Sequence, residues 1–144
     1  MTAGAESLLA ESSKKVRNLM AAVYDYFVAE AGCVPYVKTI YIGFQLGDAM
    51  VAAAYPHTGS VEVALALADD IDGPALIDAV HLTWRSMPVA VDLASPSSLK
   101  EAQSHFEMAV ERVRSGAHDV ELPQERFMGR DRRIANPRIL GSRA

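Results

Sequence analysis

The sequence predicts an α+β fold: a two-layer sandwich in which a mostly antiparallel sheet of four or five strands carries two main helices on one face, followed by a C-terminal arm. Three observations lead there. A long helical stripe opens the chain, a block of short strand-like segments fills its middle, and a second helical stripe runs from Ser95 to Arg114. Helical and strand periods differ (3.6 against 2 residues), so the spacing of apolar side chains separates the two.

The first helix is expected over residues 5–31. Val16, Leu19, Met20, Val23, Phe27 and Ala31 recur at spacings of three and four, which puts them on one stripe. Lys14, Lys15, Arg17, Asp25 and Glu30 fall mostly off it. Gly32 is a natural C-terminal stop because glycine tolerates the left-handed backbone that ends many helices. Three strands are expected next. The first covers 36–44, rich in β-branched and aromatic residues. The second is Ala49–Tyr55, and the third Val61–Leu67, with turns at Gln45–Asp48 and Pro56–Gly59. Short connections favour antiparallel neighbours. Pro74–His81 reads as a short helix or an irregular excursion, and Met87–Leu93 as a further strand with Pro88 near its start. In the second helix Leu99, Ala102, Phe106, Ala109 and Val113 make the apolar stripe. Ser95 and Ser98 are both suitable N-caps.

Strand faces carry a further expectation. Val61, Val63, Leu65 and Leu67 point one way and suit a core beneath the helices; Glu62, Ala64 and Ala66 point the other way, and the second strand offers Ala52 and Ala54 on one face. Alanine is a poor strand residue, so an alanine-rich face implies close approach by the C-terminal arm, a ligand or a second copy of the chain. A homodimer formed through that face or through the arm is the expectation.

Charge divides the chain. Residues 1–120 hold 8 Lys and Arg against 15 Asp and Glu, and residues 121–144 hold 6 Arg against 3 acids. The independent domain is therefore read as residues 1–116, with 117–144 as a basic arm bearing apolar anchors. An acidic body argues against nucleic-acid binding, which needs basic patches. The longest apolar run, Ala49–Tyr55, is seven residues, far short of the ~20 of a membrane helix. Cys33 is the single cysteine, so an internal disulfide is excluded and a reduced, cytoplasmic setting is expected.

No phosphate loop, zinc-protease pair or serine elbow is present. The candidate ligand-binding residues are His57, in a turn between strands, and the local cluster His81, Trp84 and Arg85. Trp supplies a flat apolar wall and Arg a fork that grips carboxylate or phosphate. Tyr36 and Lys38 would share a strand face with Tyr41 opposite, and a lysine there also serves to deter edge pairing. Cys33, just past a helix C-terminus, sits where the dipole disfavours a thiolate.

The runs Val37–Phe44, Met50–His57 and Val61–Leu67, with the helix Ser95–Val113, resemble a family of uncharacterised bacterial domains found alone and at the C-terminus of predicted transport or nuclease-like proteins. That family is similar in plan to the YdhG-like domains, some of which have been likened to frataxin-type iron chaperones. The resemblance covers roughly residues 8–114. It implies a two-layer α+β domain with an antiparallel sheet and transfers no catalytic residue. The expected function is a noncatalytic binding or interaction module for a small anion or a peptide, with no cofactor. One alternative is an iron-handling protein using Asp25, Glu30, Asp69, Asp70 and Asp72; another is a small-molecule enzyme.

Overall fold

The computed structural model describes residues 3–67, 76–78 and 87–116. Its elements run α1 (Ala3–Leu8), α2 (Lys14–Asp25), β1 (Val34–Val37), β2 (Ile42–Leu46), β3 (Ala49–Pro56), β4 (Val61–Leu65), β5 (Leu76–Asp78), β6 (Val89–Leu93) and α3 (Pro96–Arg114). The strands form one sheet in the order β1-β2-β3-β4-β6-β5, antiparallel at every described pairing. This is the expected α+β architecture, extended at one edge by the three-residue β5. The arm at 117–144 and the limits of the independent domain beyond Gly116 lie outside the described residues.

The single helix expected over 5–31 is broken. Ser13 caps α2, its hydroxyl accepting the Val16 N–H at 3.2 Å. Serine competes with the helical backbone in this way and so marks starts rather than interiors. Arg17 folds back and donates to the carbonyls of Ser12 (3.1 Å) and Ala10 (2.7 Å), which shapes the 9–13 connection. After Asp25 the helix widens into a π-helical stretch, Tyr26–Glu30. Gly32 then ends it with φ +76°.

Register shows which face is which. Ala52, Ala54, Val61, Val63, Leu65, Val89, Val91, Ile42 and Phe44 share one face, because Phe44 opposes Ala52, Ala54 opposes Val63, and Val63 opposes Val91. Phe44 stacks on Phe27 at 4.9 Å, and Phe27 meets Phe106 of α3 at 5.1 Å. Both main helices therefore lie on this face. Val16, Leu19, Met20, Val23, Phe27, Ala102, Phe106, Ala109 and Val113 are all buried, so the stripes read from the sequence are the contact surfaces.

The alanines divide between the two faces. Ala52 and Ala54 lie beneath the helices, whereas Ala53, Ala64 and Ala90 lie on the opposite face beside Tyr55 and Glu62. Ala52, Ala53, Ala54, Ala64, Ala66 and Ala90 are 0% exposed in a single chain.

Two local expectations change. The stretch 36–44 is not one strand but β1, a turn and β2: the Lys38 N–H donates to the Tyr41 carbonyl at 2.8 Å and reverses the chain. Tyr36 opposes Gly43 in register, and Tyr41 packs on Tyr55 at 5.1 Å. The reversal brings Tyr36 and Tyr41 to one face rather than to opposite faces. Residues 76–78, within the stretch read as helical or irregular, form β5. At the other edge, β1 carries Pro35, which has no donor to offer an incoming strand, and is followed by Lys38, whose Nζ lies 4.9 Å from the Tyr36 ring centre. Ser95 rather than Ser98 is the N-cap of α3, the two serines forming a reciprocal capping box.

Candidate functional site

The site grows from the β3–β4 hairpin. Its turn closes with the His57 N–H donating to the Ser60 carbonyl at 2.8 Å. Gly59, at φ +81°, supplies the backbone conformation that other residues rarely adopt. Tyr55 and Glu62 stand directly opposite each other across the hairpin. Both point to the face away from α2 and α3. His57, two residues beyond Tyr55, bends its ring back so that Nε2 and Glu62 Oε1 share a hydrogen bond at 3.0 Å.

The exposures are unequal in an informative way. The Glu62 side chain is 0% exposed and the His57 side chain 26%. Glu62 is the one buried charged residue among those described. Desolvating a carboxylate is costly unless it is paired and hydrogen-bonded. Here the imidazole supplies one partner, and Tyr55, His57 and Glu62 each make further interactions. The result is a ring held at a set angle, with one edge on a buried carboxyl group and the rest toward the surface.

That ring borders a cleft of about 530 Å³ lined by Leu8, Glu11, Ser12, Ser13, Pro56, His57, Thr58 and Gly59. The volume falls within the range of small-molecule sites. One wall is the 56–59 turn and the other is the connection from α1 into α2. The first turn of α2 holds Lys14 and Lys15 and no acidic residue. A helix N-terminus carries partial positive charge, so two lysines there are unfavourably placed by about 0.3–1 kcal/mol each. An anion near Ser13 would relieve that.

Of the sequence-predicted site residues, His57 is at this cleft. His81, Trp84 and Arg85 lie outside the described residues, as do Asp69, Asp70 and Asp72. Among the described residues no group of three or more His, Cys, Asp or Glu side chains could hold a metal ion. The same residues include no helix long and apolar enough to cross a membrane. Glu62 was not singled out as a site residue from the sequence. Its signal was a charge between Val61 and Val63, on a face otherwise built of alanine, five residues from a histidine.

Elsewhere, burial raises the pKa of Cys33 and Tyr41. Burial pushes the Cys33 thiol up to about 11 from 9.0, against the lowering effect of Arg114. Burial, then the neighbouring Tyr36, pushes Tyr41 up to about 12 from 10.0. Both groups hold their proton longer in the folded chain than in the unfolded one. Stability from this source is therefore constant below about pH 9 and falls as pH rises from 9 toward 12. The urea midpoint measured across that window should fall, and Cys33→Ala should remove the earlier part of the fall. A midpoint flat to pH 12 would contradict both assignments.

No family model, curated protein or solved structure matches the chain.

Proposed function

We propose that this protein is a noncatalytic binding module for a small anion, and that the anion sits in the cleft between the 56–59 turn and the start of α2. The observation that carries this reading is the His57–Glu62 pair: a buried carboxylate fixes a part-exposed imidazole at the mouth of a ligand-sized cleft. Such a pairing sets ring orientation in advance, and pre-organisation lowers the cost of binding. The cationic first turn of α2 supports a negatively charged occupant. His81, Trp84 and Arg85 remain part of the proposal as further ligand contacts.

Titrating the labelled full chain with sodium acetate, and watching backbone amide signals, tests this directly. Saturable shifts should appear at Ser12, Ser13, Thr58 and Gly59. They should weaken in His57→Phe, which keeps ring bulk but loses both nitrogens. If acetate moves no cleft amide up to high millimolar concentration, with total ionic strength held constant by sodium chloride, the reading fails.

A further inference from the structure

Helix α1 stands between two clefts. One is the cleft beside His57. The second, of about 730 Å³, runs from Ser7 and Leu8 to Val37, Ile40 and Tyr41 at the β1–β2 reversal. Leu8, the last residue of α1, borders both. We infer that α1 is a lid that opens as a unit about residues 10–12, with Arg17 as the latch that holds it shut. Opening withdraws the one side chain the two clefts are seen to share and joins them. The inference concerns access to the cleft and does not depend on which ligand enters it.

The hold of α1 on the rest of the fold is small. Six residues are too few for a helix to persist in water without tertiary support. Ala5 and Leu9 lie four residues apart, and so on one helical face. They are 0% and 3% exposed. Gly4, Glu6 and Ser7 are exposed, and Leu8 is half-buried. One large apolar side chain, Leu9, thus carries most of the docking among the described residues. By contrast, α2 buries Val16, Leu19, Met20 and Val23. Elements with few buried apolar contacts open locally at a free energy well below that of global unfolding.

The connection is fastened from α2, which is the firmer element. Arg17 donates through Nη2 to the Ala10 carbonyl at 2.7 Å and through Nε to the Ser12 carbonyl at 3.1 Å. Charged donors make stronger hydrogen bonds than neutral ones. Both bonds are exposed, so releasing them hands the guanidinium and the two carbonyls to water rather than burying them unpaired. Such bonds bias α1 toward the closed position without locking it there.

Amide hydrogen exchange on the full chain tests this. The Leu9, Ala10 and Ser12 N–H groups donate to the carbonyls of Ala5, Ser7 and Leu9, so they report on α1 and its hinge. A lid that opens as a unit gives all three the same opening equilibrium, within about twofold, unchanged by low urea. Their protection should be about a hundredfold or more below that of Val63 and Ala64 in β4. Arg17→Gln should speed the three about tenfold and leave β4 unchanged. Leu9→Ala should likewise speed Ala10 and Ser12 alone. Protection that climbs steadily from Leu9 to Ser12 means fraying from the Ala3 side and overturns the lid. Protection equal to that of β4 overturns it as well. If Arg17→Gln leaves the three amides unchanged, or speeds β4 to the same extent, the latch is overturned.

Discussion

Replacing Phe27 with alanine should cost about 3–5 kcal/mol of folding stability, the largest loss expected from any single truncation in the described core. Phe27 is 0% exposed. It lies in the π-helical stretch after α2, stacked at 22° on Phe44 of β2 and tilted at 46° against Phe106 of α3. Three separate segments thus meet on one ring. Tyr26 also packs against both Phe27 and Phe106, at 5.0 and 5.5 Å. The cavity left by truncation would be walled by aromatic rings from different elements, which cannot all collapse inward. Chemical denaturation should show a large drop in midpoint with little change in slope. Phe27→Leu should cost less than half as much. Val34→Ala, at a side chain 64% exposed on the edge strand, should fall within about 0.5 kcal/mol of the wild type. A loss below about 1 kcal/mol for Phe27→Ala would mean that the helix layer and the sheet are not held together at this ring.

How much of this was legible in the sequence follows from the range of each signal. The stripes Val16–Phe27 and Ala102–Val113 were readable because a helix buries one face for its whole length, so the period repeats enough times to stand out. The break at residues 9–13 was not, because a stripe continues in phase across a short turn and only Ser13 marks the restart. Similarly, Val37–Phe44 reads as continuous strand by residue type. The reversal at 38–41 depends on one backbone hydrogen bond, not on a Gly or Asn that would advertise it. The three-residue β5 exists by pairing with β6, and three residues are too few to show an alternation.

The faces of the sheet were only half legible. Alternation within β4 correctly separated Val61, Val63 and Leu65 from Glu62 and Ala64. It says nothing about the phase of β3 relative to β4, and in β3 both phases are alanine. Register alone assigns Ala52 and Ala54 to the helix side. The same long-range information hid the site. His57 was visible as a polar residue in a turn, but its partner lay inside a strand. Only the hairpin geometry makes five residues of separation into a 3.0 Å contact.

That contact yields the second large effect, and its size depends on which partner is removed. His57→Ala strips the imidazole from a carboxylate that is 0% exposed. Removing the partner of a buried carboxylate is strongly destabilising, by about 3–5 kcal/mol where burial is complete on both sides. His57 is 26% exposed and Glu62 makes more than one interaction, so about 2–3 kcal/mol is expected here. Glu62→Leu acts differently. It removes the desolvated charge itself and leaves an imidazole that reaches water and can be solvated there. Its cost should be smaller than that of His57→Ala. The double variant, His57→Ala with Glu62→Leu, should be more stable than His57→Ala alone, since no buried carboxylate then lacks its imidazole. A double-mutant cycle by equilibrium denaturation measures the coupling. Strictly additive losses would show that Glu62 is satisfied without His57. The ring would then be a passenger on the hairpin rather than a group fixed in place by the sheet, and the pre-organisation on which ligand binding is argued would be absent.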